Sequence, residues 1–290
     1  MAEQVGTFDR IWLSADDATY VALEVLEGST LGAQETFTNT KGIRGTRQAA
    51  AARTRRTRRM TQGTLQTSPT ALELDALLPW ILGTNEAANL FALAETVPAR
   101  YAKVYRDGTK HLYDGLKVNR ATFSCAENQP LSLAIEVMGV DEVADGDATE
   151  TADFQDGSGP FVMSDCVLSV GGTGYQFRQI SVDVNNALEM KFNNSVTPTS
   201  IRSTDLMVNV QLGLPYGDAS ALYGSAVGGV TVVATFTNGA TSIALTCAGV
   251  AAPKNPLPFA MRRHRDLSWG GEARRTSAPL PPISITNVSS

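Results

Sequence analysis

Residues 115–140 read GLKVNRATFSCAENQPLSLAIEVMGV, and the alternation within them decides the class of fold. Residues 116–125 and 131–137 have the character of two strands, joined by the turn residues Asn128, Gln129 and Pro130. In the second, Leu131, Leu133, Ile135 and Val137 project one way while Ser132, Ala134 and Glu136 project the other, because strand side chains alternate with a period of two. The pattern returns at 179–184, at 188–192 and at 206–212, where Leu206, Val208, Val210 and Leu212 oppose Met207, Asn209 and Gln211. Strands with one apolar and one wet side favour antiparallel sheets, so a mainly β chain is predicted, an antiparallel sandwich or barrel.

The bulk composition agrees. A chain of 290 residues, 43% hydrophobic, can bury one large β core or two smaller ones. Its 18% charged residues fall below the usual quarter, which suits a surface partly covered by neighbours. The net charge of −5 hides a segregation: Lys41, Arg44, Arg47, Arg53, Arg55, Arg56, Arg58 and Arg59 form a run of eight bases with no acid among them. Removing those eight from the 24 bases leaves 16 against 29 acids. Three scattered cysteines, Cys125, Cys166 and Cys247, make neither a CxxC motif nor a complete disulfide framework and read as buried thiols. The start MAEQVGTFDRIW lacks a secretion signal and no stretch is apolar enough to span a membrane, so a soluble chain made in a reducing compartment is expected.

Taken in order, the chain reads as a single domain over 1–290, with an N-terminal arm to about residue 15, a long basic loop over about 28–59 and an extended C-terminal arm over about 250–290. A strand is predicted at 19–26. A solvated loop is the simplest account of the basic run; an electrostatic clasp onto an acidic surface is the functional one, and nucleic-acid binding is weakened by the absence of aromatics to stack bases. The one helix follows in ALELDALLPWILG: Ser68 suits a cap, Pro69 the first helical position and Glu73 the first turn, while Leu74, Leu77, Leu78 and Ile81 share a face. Pro79 should end or tighten it, with Gly83 as the stop. Strands at 89–94 and 99–106 lead to an Asp107-Gly108 turn, and 230–237 and 240–247 flank Asn238-Gly239, a type I′ hairpin candidate. Residues 283–288 suit a final edge strand. Residues 141–159 are acidic and loop-like but lack the ligand spacing of a calcium loop.

Chemistry is hard to find. His111 and His264, the only histidines, have no evident catalytic partners, and Gly171-Gly172-Thr173-Gly174 lacks the Lys-Ser/Thr ending of a phosphate loop and reads as a turn. No catalytic, cofactor or metal residues are assigned, and the chain is read as a non-enzyme that assembles.

The order of elements carries a resemblance. A basic loop with GIRGTR, the helix ending LLPWILG, the KVYRDG strand, the LKVNRATFSCAENQPLSLAIEVMG pair, QISVDVNNALEM with MVNVQLGLPYG, and a terminal ISITN together resemble the tail tube proteins of long-tailed bacteriophages. The resemblance implies a β-sandwich with a flanking helix, six copies of which join inner sheets into a ring. The rings stack into the tube that conducts DNA into the host. It further implies partners in the tape measure protein within the lumen and in tail terminator and baseplate or tail-tip proteins at the ends. DNA passes without specific binding, no membrane contact is expected, and the virion tail is the final location after synthesis in the host cytoplasm.

On that reading the lumen candidates are Glu136, Asp183, Glu189 and Asp205, all expected to oppose the core. The inter-ring candidates are Arg44, Arg47, Arg53, Arg55, Arg56, Arg58 and Arg59, reaching to an acidic patch such as the loop from Asp141 to Asp156 on the next ring. A tail terminator, a decoration protein and a carbohydrate-binding adhesin are the alternatives, the last disfavoured by 7% aromatics.

Overall fold

A computed structural model describes residues 10–39, 53–87, 89–106, 109–144, 154, 159–217, 220, 222, 229–253, 266–276 and 281–289. The chain begins with β1 (Arg10–Ser14), β2 (Tyr20–Leu23), β3 (Thr30–Asn39) and β4 (Thr54–Thr67), then α1 (Ala71–Leu82). Next come β5 (Gly83–Ala87), β6 (Leu90–Leu93), β7 (Arg100–Arg106), β8 (Thr109–Ala126), β9 (Ser132–Gly139) and β10 (Asp141–Ala144). After β11 (Cys166–Val170), β12 (Thr173–Tyr175) and β13 (Gln179–Asn185) there follow β14 (Leu188–Lys191), β15 (Ser200–Ser203) and β16 (Met207–Pro215). The last strands are β17 (Val230–Asn238), β18 (Thr241–Val250), β19 (Asp266–Ala273) and β20 (Ile283–Val288). The fold is mainly β, with antiparallel sheets flanked by helix α1, as the alternation predicts.

Strand β8 is the spine. Its first half pairs with β7 on one edge and β10 on the other, and its second half with β13 and β9. The larger sheet therefore continues through β8 in the order β19-β16-β13-β8-β9-β4-β3, with β2-β1-β7 and β10 splayed off its other end. A second sheet runs β12-β11-β17-β18-β20-β6-β5, and β14 and β15 make a separate ribbon. Among the described residues no sheet closes on itself.

The apolar faces of the two large sheets share one core. Phe123, Ile135, Val182 and Val210 of the first and Leu168, Phe236, Leu245 and Ile285 of the second belong to one buried cluster, with Leu74, Leu77 and Trp80 of α1. From Leu116 onward the buried positions of β8 are Leu116 and Val118, then Ala121, Phe123 and Cys125. The step from even to odd occurs at Asn119, where a bulge between Val118 and Arg120 adds one residue against β9. The freed groups are used: the Asn119 carbonyl accepts from the Asn186 N–H (2.8 Å) and its Oδ1 from the Leu188 N–H (2.9 Å). Asn186, itself buried, donates Nδ2–H to the Val118 carbonyl at 2.9 Å.

Helix α1 starts two residues later than Ser68 and Pro69 suggest. Thr70 is the cap, accepting from the Glu73 N–H at 3.2 Å while Glu73 accepts from the Thr70 N–H at 2.9 Å and from Glu24 N–H at 3.0 Å. That reciprocal box satisfies two helix-end donors, which Ser68 is too early to do. Burial pushes the Glu73 carboxyl above its ordinary value. Pro79 does not end the helix, since it sits in the last turn and Gly83, at φ 98°, makes the left-handed stop. Trp80 donates its indole N–H to the Leu116 carbonyl at 3.0 Å, and Asn287 of β20 donates to the Ala71 carbonyl at 2.8 Å, locking helix to both sheets.

Several expectations change. Residues 30–39 and 54–59, expected within the basic loop, are strand instead, the first as β3 and the second as the start of β4, because the two threonine-rich segments pair with each other. Residues 283–288 are not an edge: β20 lies between β18 and β6, burying Ile283 and Ile285. In the extended C-terminal region β19 joins the first sheet beside β16. The β17–β18 turn is Gly239-Ala240, one residue later than expected, with φ positive at Gly239 alone, so it is not type I′. The 219–249 region thus contributes the centre of the second sheet. The Asp107-Gly108 turn, His264, and the first nine residues of the N-terminal arm lie outside the described residues, while residues 10–14 of that arm form β1.

Strand β19 also touches the second sheet, through the Ala251 N–H bonded to the Glu272 carbonyl at 3.1 Å. This crossing needs bare backbone: a Cβ on Gly271 would lie 1.9 Å from the Ala251 carbonyl oxygen. Gly271→Ala should destabilise the fold by about 1–3 kcal/mol in denaturant unfolding, the usual range for overpacking. Gly32→Ala, with nothing within 4 Å of its new methyl, should leave the midpoint nearly unchanged. The thiols supply a second check. Burial pushes Cys125 up to about 11 and Cys166 and Cys247 up to about 12. All three should resist a maleimide at pH 8 in the folded chain and react promptly once it is unfolded, because the thiolate is the reacting form.

Candidate functional site

The four central strands of the first sheet, β16, β13, β8 and β9, turn a polar face away from the core. Asn209 and Gln211, Ser181 and Asp183, Thr122 and Ser124, and Ser132 and Glu136 alternate with buried apolar neighbours. The face is built of hydroxyls and amides. Beyond the bulge its one cation is Arg120, whose Nε lies 2.6 Å from Asp183 Oδ1, an oxygen that also accepts from Thr122 Oγ1 at 2.9 Å. The hydrogen bond to Asp183 and the charge of that carboxylate raise the Arg120 pKa further, so the guanidinium stays charged and lies against a partner of opposite sign. Glu136 stands across the ladder from Arg120, and Glu272 adds a further carboxylate at the β19 edge. A shallow recess of about 340 Å³ lies over this surface, lined by Arg120, Thr122, Ser181, Asp183, Asn209 and Gln211. Among the described residues no cluster of acids, histidines and cysteines is arranged to hold a metal ion. What such a face can do is hydrogen-bond water at every step while offering a polyanion no uncompensated cation.

The sequence-based lumen candidates divide. Glu136 and Asp183 share this face. Glu189 lies on the β14–β15 ribbon, opposite Arg202, and Asp205 lies in the connection to β16, where its Oδ1 accepts from the Leu206 N–H at 2.8 Å. The ribbon packs Leu188 and Ile201 against Met138 and Val140, capping one end of the polar face. Arg120 is missed by a strict period of two, which would turn it inward.

A second feature is an arm. Strand β4 pairs with β9 only over its Thr61–Thr67 portion, whereas its pairing with β3 runs on to Asn39 and Thr54. The distal part of the β3–β4 hairpin therefore projects beyond the sheet as a two-stranded ribbon. Its base is tied to its own subunit. Arg59 pairs with Asp141 at 3.0 Å, donates to the Glu142 carbonyl, and gives its N–H to the Val196 carbonyl at 2.8 Å. The Arg58 guanidinium stacks 4.5 Å from the Phe192 ring centre, and Arg56 pairs with Glu35 at 2.6 Å. Glu142 holds the other strand, accepting from the Ala33 N–H at 2.6 Å and meeting His111 Nδ1 at 2.9 Å.

Within the subunit, then, Asp141 already serves Arg59, contrary to a purely inter-ring role for both. Arg53 and Arg55 stay exposed near the tip, and Arg44 and Arg47 lie outside the described residues, as do residues 145–153 and 155–156 of the acidic loop. The Glu142 hub was invisible in sequence because its partners Ala33, Arg59 and His111 are all distant along the chain, Ala33 by 109 residues. Glu142→Ala should strand the Ala33 N–H and loosen the arm: amide exchange over 30–39 and 54–60 should accelerate, with a global loss of about 1 kcal/mol.

Against known proteins, a family model described as phage tail tube protein matches residues 6–280 of this chain. No curated protein matches it.

Proposed function

This chain belongs to the phage tail tube protein family, and from that membership we propose that six copies close into a ring and that rings stack into the conduit for DNA. The family is one of structural virion tail components that assemble with other tail proteins into a tube. In our reading the strands β16, β13, β8 and β9 of each copy face the lumen. Four strands from each of six copies make a barrel of about 24 strands; at ~4.8 Å spacing and ~40° tilt it would be roughly 45–50 Å across at the backbone, leaving room for a duplex within the side chains. Closing the ring would also cover sheet edges that otherwise recruit further chains.

The observation that carries this proposal is the chemistry of the polar face. Each basic contact to a phosphate adds affinity through counterion release, and a conduit must let go of what it carries. Here the one cation beyond the bulge on the four strands is neutralised by Asp183 at 2.6 Å, and Glu136 adds a negative charge. The β3–β4 arm, tied at its base and carrying the exposed Arg53 and Arg55, would reach the next ring. A tape measure protein in the lumen, a terminator and a baseplate or tail tip at the ends complete the assembly.

Negative-stain microscopy of the purified chain should show hollow filaments of uniform width; isolated rings or monomers would instead favour a terminator or a decoration protein. Thr122→Lys combined with Ser181→Lys should preserve filament width and slow DNA release from virions, most strongly at low salt. Unchanged release from tubes carrying both lysines would overturn the lumen assignment.

A further inference from the structure

Strand β3 pairs only with β4, so its other side is a sheet edge, and ten extended residues make that edge roughly 33 Å long. An edge of this length can recruit a strand from another chain. In an antiparallel strand the N–H and C=O of one residue point the same way, and successive residues alternate from side to side. Ala33 donates its N–H away from β4, to Glu142, so Leu31 shares that outer side and the next residue on it is Glu35.

Side chains from three other strands already occupy this side. Glu142 of β10 accepts the Ala33 N–H at 2.6 Å, Arg106 of β7 donates to the Leu31 carbonyl, and the Tyr113 hydroxyl of β8 lies 3.4 Å from the same oxygen. Each is held in turn. His111 Nδ1 stands 2.9 Å from the Glu142 carboxylate, Arg106 donates to the Tyr113 hydroxyl at 3.3 Å, and Tyr113 is buried. A strand added to β3 would run about 4.8 Å from it, through the space these groups fill. Because they come from β7, β8 and β10, clearing that space takes more than one side-chain rotation.

We propose that Glu142, Arg106 and Tyr113 form an edge stop that bars a strand of a second copy from adding to β3 at Leu31 and Ala33. Polar side chains suit this task better than an apolar cover, since they satisfy the backbone groups and leave an incoming strand neither donor nor acceptor there. The stop does not depend on the tube reading. It concerns what the lone subunit must not do, which is to extend its sheet in an uncontrolled register.

The test follows the full chain by sedimentation velocity, below the concentration at which the wild type polymerises. Glu142→Ala frees the Ala33 donor and should self-associate at a concentration at least roughly tenfold lower than the wild type, into particles without a uniform width. Arg106→Ala, which frees the Leu31 carbonyl instead, should act likewise. Glu142→Gln keeps an acceptor oxygen and should stay monomeric. Adding Ala33→Pro to Glu142→Ala removes the freed donor without touching the β4 ladder and should restore the monomer. Gly271→Ala, destabilised with its edge still covered, should also stay monomeric, which separates uncovering from loss of stability. Glu142→Ala and Arg106→Ala chains that associate no more readily than the wild type, or association that Ala33→Pro leaves unchanged, would overturn the edge stop and leave the tube reading intact. A wild-type chain that never polymerises would overturn the tube reading alone.

Discussion

One extra residue in β8 sets the character of the whole surface. Without the bulge at Asn119, a strict period of two running on from Leu116 and Val118 would turn Arg120 and Thr122 into the core and put Ala121, Phe123 and Cys125 in water. With it, the three apolar residues stay buried, and Arg120 reaches Asp183 on the polar side. The cost of breaking the ladder is offset by the Asn186 turn, which takes up the Asn119 and Val118 carbonyls and the Asn119 side chain. The bulge thereby also fixes where the β14–β15 ribbon leaves the sheet.

The long reach of β8 has a second consequence. Because it pairs on both edges over most of its 18 residues, it joins the splayed β1–β2–β7 unit and the polar four-strand face into one sheet. The second sheet and α1 press against the same core, and Asn287 and Trp80 satisfy buried polar groups across the joins. Strands paired on one side only are β2, β3, β10 and β19 in the first sheet and β5 and β12 in the second. A subunit organised in this way has a polar face on one sheet and a projecting arm at the β3 edge.

The basic run shows how charge misleads when it is read alone. Its arginines suggest a solvated loop, yet most of those described are consumed within the subunit: Arg59 by Asp141 and Glu142, Arg58 by Phe192 and Arg56 by Glu35. Threonines alternating with them, as in Thr54, Thr57 and Thr61, are β-formers, and pairing with the equally threonine-rich 30–39 segment turns two loops into one ribbon. Neither half is convincing as a strand by itself. The acidic patch expected on a neighbour begins in fact as β10, paired with β8.

What the sequence determined by itself was everything with a local period. The alternation of 131–137 and 206–212, the helix face of Leu74, Leu77 and Leu78, and the glycine turns at 171–172 follow from residues a few positions apart, and the structure keeps all of them. The placement of Glu136 and Asp183 on one polar side, away from the core, was legible for the same reason. The tertiary structure alone decided what depends on distant segments meeting: the bulge that rescues Arg120, the Glu142 hub, the interior position of β20 and the division of Glu189 and Asp205 from the other two acids. The physical reason is that periodicity reports which side of a strand a residue takes, whereas pairing partners are chosen by the summed burial of the whole sheet.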